Sequence, residues 1–319
     1  MMKRMRMLFI VCLVILSPLG TLFAQDMATA VETYNAGGKA IGENNNTEAI
    51  ELFNKALTML ETISAEERGE EGDKMIAEAK KIIPQLHLRC GKELVNDKEY
   101  DKAIEELNKT IEISEKYGAA EVKSEATELI PQILMVSATA LLSERKMEEA
   151  VAGFKKLLEI EPDNATANYR LGAAESGLGN EAGAIAAFEK AIELGDKNSI
   201  TQLANVYLKR ASAANTAKKP QEMFDNAVKA DGYAETANSK KLAGLAALQL
   251  KKYDDTIKYL EAYLSISPNA NDKNAMLYQI ATAYEGKNDN AKACGYFKQI
   301  INDPKYKEIA TYKVGQYKC

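Results

Sequence analysis

The sequence predicts an all-α protein built from stacked antiparallel helix pairs, and three observations carry that reading. Ala, Glu, Lys and Leu dominate long stretches that seven prolines and nineteen glycines interrupt only rarely. Apolar residues recur at i, i+4 and i+7 along those stretches, which is one face of a helix. A four-position pattern also returns along most of the chain, the mark of repeat units that stack because one unit cannot bury its own apolar face. The chain has 319 residues, 46% apolar and 27% charged, an ordinary soluble composition. That excludes disorder, collagen and a polytopic membrane protein as descriptions of the whole. One His and no Trp exclude chemistries that need several imidazoles.

The first segment reads as an address. Lys3, Arg4 and Arg6 precede the apolar run Met7 to Leu16, Ser17-Pro18-Leu19-Gly20 breaks it, and Leu22-Phe23-Ala24 leads into Gln25. A basic start, a short apolar core and a small residue at the cut make a secretory signal peptide over 1–24. An uncleaved anchor would want about 20 apolar residues. Cys12 lacks the small residues that precede a lipidated cysteine, which argues against a lipoprotein. Cleavage after Ala24 removes three positive charges and no negative ones from a net −5, leaving −8. So acidic a chain has no electrostatic case for nucleic acid, whose affinity is built on cationic contacts to phosphate.

The repeat begins next. A small residue is followed twelve positions on by Ala or Thr, four further by a bulky residue and three further by another core position. It reads Gly37, Ala49, Phe53, Ala56, then Gly91, Ala103, Leu107, Thr110, then Ala138, Ala150, Phe154, Leu157. It returns as Gly172, Ala184, Phe188, Ala191, as Gly244, Thr256, Leu260, Tyr263, and as Ala281, Ala293, Phe297, Ile300. A seventh copy, Ala204 with Phe224 and Ala227, fits with about four residues inserted near Lys218-Lys219-Pro220. All five Phe residues after Ala24 fall at one place in the pattern. Physically, the small residue on a first helix lets the second helix approach closely.

This spacing resembles the tetratricopeptide repeat, whose period is 34 residues. Ala150 to Ala184 spans that period, Leu171-Gly172 through Phe188 and Ala191 is the best copy, and Pro162 and Pro268 sit where the family places its terminal proline. No copy has the family's Trp. The resemblance implies a right-handed α-solenoid of about seven helix pairs over residues 30–305, with Tyr306 to Tyr317 as a capping helix.

The expected domains are 25–145, irregular repeats with extended helices, and 146–319, regular repeats plus the cap. In the first, Ile83-Pro84-Gln85-Leu86 and Ile130-Pro131-Gln132-Ile133 end two insertions. Each proline is expected to open a repeat's first helix, where its missing N–H costs nothing, with extra helical turns before a kink. Glu66 to Asp73, acidic and glycine-containing, reads as a solvated loop.

Catalytic motifs do not emerge. His87 and Cys90, three apart on one helix, are two ligands short of a metal site and read as core. Gly177 to Gly183 lacks the strand, the spacing and the ending of a phosphate loop. The chain therefore reads as non-enzymatic, without cofactor or metal. Cys294 and Cys319 could pair in an oxidising compartment or stand free. Equal helix lengths put Cys294 opposite Val314, which favours two free thiols.

Function then lies on the surface. In the family, first helices line a concave groove that holds extended peptides or partner segments. Carried over, the groove-facing positions include Tyr34, Gln85, Tyr169, Asn198, Thr201, Gln202, Asn205 and Tyr278, with Lys92, Gln132, Thr139, Lys241 and Thr282 beside them. The Lys/Asn/Arg clamp on a C-terminal carboxylate is not reproduced. The expectation is a protein-interaction scaffold with a protein or peptide partner, exported, and periplasmic or outer-membrane-associated in a Gram-negative-type bacterium. It is not an integral membrane protein, though peripheral association with an envelope complex is allowed. The alternative is a carbohydrate- or small-ligand-binding envelope protein. A scaffold buries a long segment across several repeats, whereas a small-ligand binder needs one closed pocket.

Overall fold

A computed structural model describes residues 19–319, with side chains from Asp26 onward. The expected leader, 1–24, lies largely outside the described residues; only the backbone of its last six is described, as helix. Fifteen helices and no strands make up the described chain. Seven antiparallel pairs are α1 (Leu19–Gly42) with α2 (Asn46–Thr62), α3 (Ala65–Asn96) with α4 (Tyr100–Tyr117), α5 (Ala120–Ser143) with α6 (Met147–Ile160), α7 (Ala165–Gly177) with α8 (Glu181–Glu193), α9 (Asn198–Thr216) with α10 (Pro220–Tyr233), α11 (Ala237–Gln249) with α12 (Tyr253–Ile266), and α13 (Lys273–Gly286) with α14 (Asn290–Ile300). α15 (Lys307–Tyr317) follows them. This is the all-α solenoid of paired helices that the repeat predicts.

Within every pair the chain reverses in the same way. One residue of each turn takes a positive φ: Asn44, Lys98, Arg145, Gly179, Lys218, Lys251 and Asn288, between 57° and 76°. The next residue's N–H reaches back to the last turn of the first helix, as in Asn180 N to Glu175 O and Lys252 N to Ala247 O, at 2.9 and 2.8 Å. That left-handed residue and its six-residue back-bond satisfy carbonyls the helix end leaves open. Helix starts are fixed by side chains that accept from orphan N–H groups: Asn164 Oδ1 from Ala167 N at 2.9 Å, and a reciprocal Thr236–Ser239 capping box.

The repeat positions do what their spacing implies. Ala49, Phe53, Ala103, Leu107, Ala150, Phe154, Ala184, Phe188, Leu260, Ala293 and Phe297 are all at most 1% exposed. The small residue of the first helix sits directly against the bulky residue of the second. A Cβ built on Gly172 would stand 2.6 Å from the Phe188 ring, and one on Gly244 2.5 Å from Leu260 Cδ2. The four-residue insertion of the fifth pair is absorbed as helix, so α9 runs 19 residues where α7 and α11 run 13.

The chain divides into two compact units at Leu134/Met135, inside α5; the expected domain boundary stood at 145/146. In the first unit, Phe53, Leu57, Ile83 and Leu86 form one buried cluster and Leu88, Leu107, Ala126 and Ile133 another. Two expectations are corrected there. Glu66 to Asp73 is helical rather than a loop, because Ser64 caps the start of α3 by accepting from Glu67 N; the only break is Gly69, at φ 60°. Pro84 and Pro131 do not open helices but lie inside α3 and α5, both buried, so each insertion and the first helix after it form one long helix.

The second unit holds the regular pairs. Phe154 and Leu171 lie in one buried cluster, Phe188, Leu203 and Tyr207 in the next, and Leu260, Tyr263 and Ile280 in another. α15 covers the last pair as the expected cap, with Ala310 in the cluster of Leu277, Phe297 and Ile300. The reading of two free thiols is overturned: Cys294 and Cys319 form a disulfide, with Cα atoms 6.5 Å apart. Lys318 takes the left-handed conformation, and Cys319 N–H turns back to Val314 O at 3.5 Å. Cys319 therefore lies beside Val314, the residue that equal helix lengths place opposite Cys294.

Candidate functional site

The positions carried over from the repeat fall into two physical groups. The tyrosines brace their own pairs. Tyr34, Tyr169 and Tyr278 are half-buried, and each meets the bulky ring of its second helix: Tyr34 on Phe53 at 5.0 Å, Tyr169 on Phe188 and Tyr278 on Phe297, both at 6.1 Å between centroids. The Tyr34 hydroxyl also donates to Glu78 Oε2 at 2.9 Å. Burial and that carboxylate push its pKa up to about 12. Tyr278 is further covered by the stacked ring of Tyr306, at 5.2 Å. Each of these Tyr–Phe pairs is 19 residues apart in sequence, a signal that marks the tyrosines as packing.

Other carried-over positions are occupied by neighbours in the chain. Lys92 Nζ donates to Glu125 at 2.6 Å, Lys241 pairs with Asp272 at 2.5 Å, and Thr139 accepts from Arg170 at 2.9 Å. Thr282 donates to Tyr278 O at 3.0 Å, and Gln132 donates to Glu128 O at 3.1 Å. Gln85 is exposed on α3 in the first unit.

α9, in the second unit, is different. Asn198, Thr201, Gln202 and Asn205 stand at i, i+3, i+4 and i+7, all exposed, while Leu203, Ala204, Val206 and Tyr207 bury the opposite face. Asn198 Nδ2 donates to Asp196 Oδ1 at 3.2 Å, helping to order the helix start. The side chains of Thr201, Gln202 and Asn205 have no hydrogen-bond partner among the described residues. A hydroxyl and two amides, held on a rigid helix with donors and acceptors unspent, can pair with the N–H and C=O groups of another chain. They carry no charge, so they select by hydrogen-bond geometry.

His87 and Cys90 are not core residues, contrary to the sequence reading. With Leu94, and with Asp97 just past the helix end, they form one stripe along α3, which faces an open cavity of about 410 Å³ bordered by Thr47, Ile50 and Glu51 of α2 and by Glu106 of α4. The i, i+3, i+7, i+10 spacing of 87, 90, 94 and 97 is the signal that places them on one face. His87 Nδ1 lies 2.5 Å from Glu106 Oε1. That bond holds the Glu106 carboxyl below its ordinary range. Burial, helped by the Glu93 and Glu106 charges, pushes the Cys90 thiol up, so it stays protonated near neutral pH and is a poor nucleophile. Among the described residues no group of three or more His, Cys, Asp or Glu side chains is placed to hold a metal ion.

One surface residue escaped the sequence reading. Glu285 accepts from the Tyr317 hydroxyl and pairs with Lys313 at 2.8 Å, tying α15 to α13. Its position seven residues after Tyr278, and so on the same face of α13, could have flagged it.

No curated protein matches the sequence. Among solved structures, the crystal structure of MamA protein is 23% identical, covering 59% of this chain and 96% of that one, with a TM-score of 0.35. YrrB, described as a TPR protein with an unusual peptide-binding site, is 20% identical over 56% of this chain and 89% of that one, with a TM-score of 0.36. TTC0263, a thermophilic TPR protein of Thermus thermophilus, is 14% identical over 58% and 98%, at 0.27. Tetratricopeptide-repeat models match residues 136–199, 221–271 and 275–305, all within the second unit. Those matches fall on helix pairs in which a small residue of the first helix meets a bulky one of the second, and the second unit carries tetratricopeptide repeats over those residues.

Proposed function

We propose that this protein is a non-catalytic interaction scaffold that holds a neutral or mixed segment of a partner protein against α9. The observation that carries the reading is the exposed, unspent hydrogen-bonding face of Thr201, Gln202 and Asn205 beside a packed core. Tyr169 supports the site from behind, through Phe188, rather than as a free contact. The site is set in an exported protein, periplasmic or outer-membrane-associated. Two features support export: the basic and apolar layout of residues 1–24, and a disulfide, which persists in oxidising compartments.

Selection from a displayed random-peptide library tests the proposal. Enriched peptides should lose at least tenfold in affinity on the Gln202→Ala/Asn205→Ala variant, whose helicity and melting should match wild type because both side chains are solvent-facing. Peptides that bind both proteins equally, or no enrichment at all, would remove α9 as the site.

A further inference from the structure

The cap helix α15 meets the last pair through a seam with a small fully buried part. It has 11 residues and buries only Ala310 completely. Val314 packs half-buried against the same cluster, and the other ties are polar or aromatic: Tyr306 stacked on Tyr278, Tyr317 and Lys313 on Glu285, and Asn274 Nδ2 to Asp303 Oδ2 at 2.7 Å in the preceding loop. Against that modest set stands one covalent bond, Cys294–Cys319, which closes a span of 25 residues and contains the whole of α15. Cys294 is 1% exposed, on α14, whereas Cys319 is exposed. The cap also lies on Tyr278, a position carried over from the repeat as groove-facing, and on Glu285, seven residues further along α13.

We propose that the Cys294–Cys319 disulfide is a redox latch. Closed, it keeps α15 over the last pair, so that the chain itself occupies Tyr278 and Glu285. Opened, it lets α15 leave and uncovers the face of Leu277, Phe297 and Ile300. The opening reagent is a dithiol. One of its thiolates attacks Cys319 Sγ, the accessible sulfur, forming a mixed disulfide and releasing Cys294 as a thiolate that takes a proton. The second thiol of the reagent then displaces Cys319, which is also protonated. The protein gains two thiols and the reagent becomes a disulfide. That Tyr278 and Glu285 would serve a partner rests on the scaffold reading; the latch itself does not.

Hydrogen exchange read by mass spectrometry tests the latch on the full chain in three states: oxidised, reduced with dithiothreitol, and Cys319→Ser. Closing a loop of this length is worth on the order of a hundredfold in the chain-entropy picture. Amides of 307–317 should therefore exchange at least tenfold faster in the reduced protein and in the variant, with α9 to α12 changing less than twofold. Equal protection of α15 in all three states overturns the proposal, as does uniform acceleration across the second unit, which would make the bond a global staple. Because wild-type protein is reduced after folding, a variant that folds poorly does not blunt the test. Failure of the latch leaves peptide binding at α9 untouched, and loss of that binding leaves the exchange result intact.

Discussion

Gly172→Ala should destabilise the protein although it replaces the second-worst helix former with the best. In a helix interior the exchange gains about 0.8–1 kcal/mol. Here the new Cβ would stand 2.6, 2.7 and 2.9 Å from three atoms of the Phe188 ring, where ordinary carbon contacts sit at about 3.5–4.0 Å. The ring must retreat by roughly 1 Å, yet Phe188 is 1% exposed and backed by Leu203, Val206 and Tyr207. Overpacking of this kind costs about 1–3 kcal/mol; with the ring backed this tightly the upper half of that range applies, so the net loss should be about 1–2 kcal/mol. Gly295, in α14, has nothing within 4 Å of its Cβ position, and Gly295→Ala should gain about 0.5–1 kcal/mol. Thermal melts followed by far-ultraviolet circular dichroism should move in opposite directions, by a few degrees each. Phe188→Ala alone should cost about 3–5 kcal/mol. In that background the clash is gone, so Gly172→Ala should become stabilising, a coupling a double-mutant cycle reads directly. If Gly172→Ala lowers stability equally with and without the ring, close approach at the small residue does not organise the pair.

Glu106 should contribute to the acid sensitivity of the first unit. His87 holds its carboxyl below the ordinary range. Its contribution is therefore complete above the unfolded carboxylate pKa and is lost as pH falls through the depressed folded value. Urea midpoints measured from pH 6 down to pH 3 should fall more steeply for wild type than for Glu106→Gln, and parallel slopes would remove the pair from the account. N-terminal sequencing of the exported protein should begin at Gln25 or within a residue or two. Among the described side chains of α1 the first buried one is Ala30, beyond that cut, whereas a mature protein beginning at Met1 would favour the anchor.

The helix pairs were legible because their defining contact is encoded at fixed spacing within one pair. Gly172 and Phe188, or Gly244 and Leu260, are both set by local register. The features that escaped depend on where single residues bend the backbone. Cys319 reaches Cys294 because Lys318 turns left-handed, which no Lys announces. Glu66 to Asp73 joined a helix because Ser64 supplied a start signal just upstream of a composition that otherwise reads as loop. At the candidate site, Tyr34, Tyr169 and Tyr278 stood at positions that can face either a partner or their own second helix. The ring 19 residues on decides the matter, and α9, where Thr201 replaces the tyrosine, keeps its face open.

The reversal inside each pair has a bearing on how such a chain can be inherited. Seven turns share one backbone path, yet the residue at the left-handed point is Asn, Lys, Arg, Gly, Lys, Lys and Asn in order. A side chain there meets solvent and pays only a modest local penalty for its conformation, so the position drifts without loss of shape. The contact between small and bulky residues cannot drift that way, since each partner is confined by the other. A duplicated pair would thus lose its resemblance first at the corners and last at the inner seam. Copies made long ago would still be recognisable by the handful of buried positions through which one helix leans on the next.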